Sequence, residues 1–447
     1  MNYDSLNLRV RKDQLGVDRT ILVGHKMSDC LPVQYTSPPL LQMSGDKGNF
    51  NISADQLSKG CMLIGSTGSG KTNAFFMMLD QLLPKIKSSD VVLIFDSKGD
   101  FMNRYYEPDN PDHIVISANE NHRSITKGWN IYGELFDKNG EFGESADIMA
   151  KEISKALFKN IESSNQPFFH IAPTDLFSVI MSCFVKEATE QKSYHKLNNE
   201  TLVNFINSST VQDFYNMIQK YPQFKYVQSY LGEAKLQTPQ SLGVLGHLYS
   251  MISSQFIGPF KHKMPSGHFS MRRLIRERGA KVIFLEYDIN LGDTLSPIYS
   301  LFFDLAIKEA LTSDTGNTYL ICDEMNLLPY CQRFQDAVNY GRSKGVKTVV
   351  GLQSINQLYN NYGEDEGKAI AAGFVNAICF NAVDYDTRKF VSERFGTTFE
   401  SINWSGSNIT RNGYTVEDSD IHNLKTGEAF IDLAGLTPFK FRFDKLV

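Results

Sequence analysis

At 447 residues, with 42% hydrophobic and 21% charged side chains, the chain has a soluble globular composition: one large α/β domain with an insertion, or two to three domains. Its formal net charge of −5 excludes a surface that is basic throughout, so a polyanion must meet positive charge concentrated in one place. Six scattered cysteines with no C-x-x-C pair exclude a disulfide framework or zinc ribbon, and fit a reducing cytosol.

Residues 1–59 read as a small β-rich segment, with short alternating runs at 20–23 and 32–35. The opening MNYDSLNLRVRKDQ lacks the pattern of a signal peptide, and no apolar run approaches the roughly 18 residues that span a bilayer. The expectation is a cytoplasmic protein with no transmembrane segment of its own, brought to the inner face of a membrane only by a partner.

Met62-Leu63-Ile64 then forms a short buried strand, followed by Gly65-Ser66-Thr67-Gly68-Ser69-Gly70-Lys71-Thr72 and apolar residues at helical spacing. This is the P-loop pattern in its strand–loop–helix context. Glycines let backbone N–H groups converge on phosphate, and the following helix adds the positive end of its dipole. Lys71 supplies a cation for the β- and γ-phosphates, and Thr72 a hydroxyl for Mg²⁺. Residues 65–72 are therefore assigned to ATP.

Val91 to Phe95 is a continuous apolar run ending in Asp96, Lys98, Gly99 and Asp100. It reads as a central parallel strand whose polar end lies at the ligand crevice, and Asp96 is assigned to the nucleotide. A further strand is read at 114–116. From 143 to 267 the period becomes helical, in ADIMAKEISKALFKNI, DLFSVIMSCFVKEAT and ETLVNFINSSTVQDFYNMIQKY. Strands return at 281–289, 318–329, 348–354, 377–380 and 429–433, with helices between several of them. Alternating strands and helices imply a doubly wound parallel sheet at 60–142 and 268–447, interrupted by an all-α insertion at 143–267. Cys61, Cys322 and Cys379, beside apolar runs, read as core packing.

A P-loop requires a carboxylate for Mg²⁺, and a hydrolase requires a base for the attacking water. Asp323 and Glu324, at the end of the strand Tyr319-Leu320-Ile321-Cys322, supply both in that order. Gln353 ends the strand TVVGLQS, where an amide senses the γ-phosphate or positions water. Arg342, in NYGRSKG, is either a surface charge or a finger reaching a neighbouring subunit's nucleotide. No H-x-E or H-x3-H pairing suggests a metal other than Mg²⁺, and the aromatic-rich stretches read as core rather than base-stacking platforms.

Several motifs carry a family resemblance. FDSKGDF resembles the DPKGE-type motif of the FtsK–HerA superfamily of ring translocases. ICDEMNLLP and GRSKGVKTVVGLQSINQLYNNYG resemble the ATPase domain of type IV secretion and conjugation coupling proteins, the TraD/TraG-like family. The resemblance spans roughly residues 60–443. It implies a RecA-like P-loop NTPase with an inserted all-α domain, Gln353 as the sensor glutamine and Arg342 as the finger acting in trans. Ser97 departs from the family's usual proline and Asp100 from its frequent glutamate.

The site residues and the resemblance together imply a hexameric ring that hydrolyses ATP with Mg²⁺ at subunit interfaces to move DNA through a central pore, by non-specific contacts to the DNA backbone. Lys98 and the loops after the strands are guesses for pore positions. Alternatives are a substrate-protein receptor that recruits a relaxase or effector, and an ATPase partner of a nuclease in DNA processing or anti-phage defence.

Overall fold

The computed structural model describes residues 10–12, 18–28, 30–32, 39–159, 168–232, 238–328, 330–404 and 407–446. Its centre is a nine-stranded sheet. In chain order the strands are β1 (Cys61–Ile64), β2 (Val91–Asp96), β3 (His113–Ile116), β4 (Lys281–Glu286), β5 (Thr318–Cys322), β6 (Val346–Leu352), β7 (Asn376–Phe380), β8 (Glu428–Asp432) and β9 (Phe439–Arg442). Their spatial order is β9-β8-β7-β1-β6-β5-β2-β4-β3. From β7 to β3 every pairing is parallel, and β8 and β9 add an antiparallel edge.

The central strands are buried on both faces, which is why they read as unbroken apolar runs rather than alternations. The order has a direct consequence for function. β6 lies between β1, which leads into the phosphate loop, and β5, which ends at the acidic pair. All three release their chain at the same edge, where open α/β sheets bind ligands.

Helix α1 (Lys71–Leu82) follows the loop, and α2 (Asp100–Tyr105) follows β2. The stretch between β3 and β4 is mostly helical: α3 (Ser145–Leu157), α4 (Phe168–Gln191), α5 (Asn199–Ser208), α6 (Val211–Gln219) and α7 (Pro239–Gln255) are its longer members. Its two ends meet in a short parallel ladder, Gly128–Trp129 against His268–Phe269. The block shares its core with the sheet. The Trp129 ring stacks on Phe256, just after α7, at 5.9 Å and meets Phe302 edge-on at 5.3 Å, on α8 (Gly292–Leu311), the helix that joins β4 to β5.

Two expectations change and a third goes untested. ETLVNFINSSTVQDFYNMIQKY is two helices, because the Thr210 hydroxyl accepts from Asp213 N–H while the Asp213 carboxylate accepts from Thr210 N–H, starting α6 afresh. The 20–23 run lies in the strand Asp18–Gly24, which pairs with the hairpin Thr397–Trp404/Ser407–Tyr414 and so belongs to a four-stranded sheet shared with the far end of the chain. The run at 32–35 falls, but for Pro32, outside the described residues.

Among the described residues a single helix, α4, is long and apolar enough to cross a bilayer, with mean hydropathy 1.6. Asp175 interrupts its apolar run. Here 72% of its apolar window is buried inside the fold, and Asp175 pairs with Lys151 at 3.2 Å.

Candidate nucleotide site

Gly65 and Gly70 show why the loop is built of glycine. A Cβ on Gly65 would lie 2.7 Å from Phe380 Cβ and 2.9 Å from the Asn381 carbonyl. Gly70 has φ +117°, and a Cβ there would press on the backbone of Gly427 at 3.1 Å. Hydrogen bonds fasten the loop to its surroundings. Gly65 N–H donates to Leu352 O at 3.0 Å, Ser66 N–H to Asn381 O at 2.7 Å and Gly427 N–H to Ser69 O at 2.8 Å.

The loop and the neighbouring strand ends enclose a cavity of 170 Å³ lined by Thr67, Gly68, Gly70, Lys71, Thr72, Asn73, Lys98, Asp323, Glu324 and Gln353. α1 points its N-terminus here, so unpaired N–H groups and the helix dipole favour an anion. The Lys71 ammonium lies against its own loop, donating to the carbonyls of Gly65 and, at 3.1 Å, Ser66. Burial draws its pKa down to about 8, with Glu324 opposing that shift and Lys98 adding to it.

Asp323 is held by Ser97, whose N–H donates to one carboxylate oxygen at 3.2 Å and whose hydroxyl donates to the other at 2.9 Å. Burial raises its pKa to about 7 against those two hydrogen bonds. Glu324 is also raised, again first by burial. Its Oε2 accepts from Gln353 Nε2 at 2.5 Å, whereas Oε1 is buried without a partner among the described residues. A buried, unpaired carboxylate oxygen is costly unless something meets it, and Glu324 lines the cavity.

Of the residues assigned from sequence, Thr67, Gly68, Gly70, Lys71, Thr72, Asp323, Glu324 and Gln353 converge on this cavity. Gly65, Ser66 and Ser69 brace the loop from behind. Ser66 Oγ accepts from Val383 N–H at 2.9 Å, and the Ser69 side chain is buried.

Asp96 is not among the residues that line the cavity. Its carboxylate is fully buried and accepts from Met102 N–H at 2.7 Å and Lys98 N–H at 3.3 Å. It shapes the turn after β2, and burial lifts its pKa to about 6. The residue this turn delivers to the cavity is Lys98. Sequence reasoning also missed Asn73 as a lining residue and Ser97 as the support of Asp323, although Ser97 stood out as the residue occupying a proline position.

Arg342 lies elsewhere. It sits in the 3-10 turn Gly341–Lys344 just before β6, whereas Gln353 follows the other end of that strand. Seven residues at ~3.3 Å each separate the two ends by about 23 Å. Arg342 is exposed and pairs with Asp55 at 2.9 Å. It therefore has no part in this chain's own cavity.

The fold and this cavity define a P-loop nucleotide-binding domain of the RecA-like kind. Residues 47–420 match the family model described as type IV secretion-system coupling protein DNA-binding domain, and the chain belongs to that family. It is 19% identical over 413 residues to the coupling protein TraD of Escherichia coli K12, covering 88% of this chain and 53% of TraD. It is 21% identical over 300 residues to the type IV secretion system-coupling protein VirD4 of Bartonella henselae, covering 64% of this chain and 45% of VirD4. The chain thus spans about half the length of the curated relatives it matches. Among solved structures, the plasmid coupling protein TrwB in complex with ADP and Mg²⁺ superposes with a TM-score of 0.72 at 18% identity, covering 92% of this chain and 90% of that one.

Proposed function

We propose that this chain is the ATP-hydrolysing motor part of a coupling-protein machine, acting as a ring of copies that moves DNA. The observation that carries the reading is the convergence of Lys71, Asp323, Glu324 and Gln353 on one cavity at the carboxyl edge of the sheet, while Arg342 stands at the opposite edge.

The residues present fit ATP and Mg²⁺, in keeping with TrwB's complex with ADP and Mg²⁺. Lys71 and the loop backbone hold the phosphates, and Thr72 with Asp323 holds the cation. When bound, Mg²⁺ neutralises charge on the phosphate oxygens. Glu324 takes the proton of the attacking water through its unpaired Oε1, and its raised pKa makes it a stronger base than an exposed carboxylate. Gln353 orients Glu324 through the hydrogen bond to Oε2 and reports on the γ-phosphate.

Arg342 serves a neighbouring copy. One chain then holds half of two sites, and a closed ring completes every one of them. A hexamer is the ring size the family resemblance implies. DNA is the substrate suggested by the family's DNA-binding description, met through phosphate contacts that carry little sequence information. The working division is 1–59, 60–142 with 268–447, and a helical insert at 143–267. The ladder between 128–129 and 268–269 supports a stem just outside that insert. Recruitment to the inner face of a membrane, and of a relaxase or effector, belongs to the same proposal.

The test is ATP turnover by purified protein with and without single- and double-stranded DNA, across a salt series. Stimulation that fades with salt supports the motor. Turnover indifferent to both DNAs removes DNA from the reading and favours the receptor of substrate proteins.

A further inference from the structure

The cavity holds a second lysine that the reaction described so far leaves unused. Most of the charged and amide side chains lining it are already engaged. Lys71 donates to its own loop, Asp323 is held by Ser97, and Glu324 and Gln353 hold each other. Asn73 Nδ2 donates to Asp444 O at 2.8 Å, and Leu446 N–H donates to Asn73 Oδ1 at 2.9 Å, so this side chain clamps both ends of the 444–446 run. The Lys98 ammonium alone has no hydrogen bond or ion pair among the described residues.

The turn that presents Lys98 is braced from several strands. Asp96, buried beneath it, accepts from Lys98 N–H at 3.3 Å and from Met102 N–H at 2.7 Å. Ser97 is fastened to Asp323, after β5, through both its N–H and its hydroxyl. Gly99 has φ +78°, which side chains with a Cβ rarely adopt, and a Cβ there would lie 3.4 Å from Glu286 Oε1 at the end of β4. Glu286 is itself fixed by two residues that follow β3. The Ser117 hydroxyl donates to its Oε2, and His122 Nδ1 lies 2.7 Å from the same oxygen. Buried groups thus hold the backbone under Lys98 while its head stays exposed and unpartnered. A solvating surface lysine needs no such footing, whereas a cation aimed at a ligand does.

The neighbours of that head indicate what it meets. After burial and closer partners have acted, the Lys98 charge still lowers the pKa of both Lys71 and Glu324, so it stands near the phosphate cation and the base. Phosphoryl transfer spreads charge over the three γ-oxygens, and a cation already in place there needs no reorganisation. We propose that Lys98 is a catalytic cation supplied by the same chain as the P-loop, its ammonium donating to a γ-phosphate oxygen during hydrolysis. In that step the water oxygen bonds to the γ-phosphorus, Glu324 takes the water's proton, and the bond to the β–γ bridging oxygen breaks to leave ADP and phosphate. Lys98 keeps its own protons throughout. The inference rests on the cavity being a nucleotide site, and it moves Lys98 from the candidate pore positions to the hydrolytic centre.

The experiment compares wild type, Lys98→Ala and Lys98→Arg by calorimetry with Mg²⁺ and either ADP, which lacks the γ-phosphoryl group, or ADP with aluminium fluoride, which mimics that group in transfer. ATP turnover is measured beside it, with and without DNA. Lys98→Ala should weaken the aluminium fluoride complex about tenfold or more and lower kcat about a hundredfold, with ADP affinity within about twofold of wild type. Lys98→Arg, which keeps the charge, should recover most of the complex's affinity. An unchanged ratio of the two affinities in Lys98→Ala overturns the inference whatever turnover does, and weaker DNA binding beside it returns Lys98 to the DNA path. Equal loss of both ligands also overturns it, by making the lysine part of general nucleotide binding. Wild-type protein that binds neither ligand overturns the nucleotide reading and this inference together. Circular dichroism confirms folding; should Lys98→Ala fail it, Lys98→Gln decides in its place.

Discussion

The two ends of β6 carry opposite kinds of polar chemistry. At the carboxyl end, Gln353 is packed with Glu324, Asp323 and Lys71, whose pKa values are displaced, and one carboxylate oxygen has no partner among the described residues. At the amino end, Arg342 is exposed and already paired with Asp55. A buried group left unpaired pays a desolvation cost that a ligand relieves, so the carboxyl end is organised around a bound anion and cation. An exposed ion pair is worth little, commonly about 1 kcal/mol or less, and is easily exchanged. The difference teaches that Arg342 is free to leave Asp55 for a stronger anion, such as a neighbour's phosphates.

Experiments can break that contrast from either side. Lys71→Ala should have the largest effect, reducing turnover to background and abolishing nucleotide binding in calorimetry; retained turnover would show that the carboxyl end is not the phosphate site. Arg342→Ala should lower turnover by about three orders of magnitude with nucleotide binding intact. Mixing it with Lys71→Ala protein should restore part of the activity, since a mixed interface then holds one intact half from each. If no mixture regains turnover, the amino end has no role in a shared site.

Glu324→Gln should slow hydrolysis by about two to four orders of magnitude while ATP stays bound, as measured by single-turnover phosphate release. Ser97→Ala should act only through Asp323, raising the Mg²⁺ concentration needed for half-maximal turnover about tenfold and leaving metal-free nucleotide binding alone. Asp55→Ala sharpens the comparison from the other side, with the smallest effect. Freed of its partner, Arg342 should support turnover at or above wild type, with stability changed by no more than about 1 kcal/mol.

The carboxyl end was largely legible because its signals are local. A P-loop encodes its glycines and its lysine within eight residues, and the acidic pair and Gln353 close apolar runs that announce buried strands. Asp96 and Lys98 mark the limit of that reasoning. Both are polar residues at a strand end, and only the turn decides that the first folds under while the second reaches the cavity. The break between α5 and α6 depends on a capping box in a sequence whose apolar spacing runs straight through it. Least legible were the pairing of Asp18–Gly24 with Thr397–Trp404 and the clamp of Asn73 on the 444–446 run. Both join residues more than 370 positions apart, where hydrophobic period and turn chemistry say nothing about partners.

The ladder that joins Gly128–Trp129 to His268–Phe269 makes the helical block a detour with a single doorway. The chain departs from the parallel strands and returns to them at one spot, so helices behind that spot can be lengthened, trimmed or exchanged without shifting β3 against β4. The layer packed on the sheet is obliged to keep its shape, where Trp129 meets Phe302 and Glu152 of α3 pairs with Lys308 of α8. Such an arrangement lets the outer helices vary while the strands and the nucleotide cavity stay as they are.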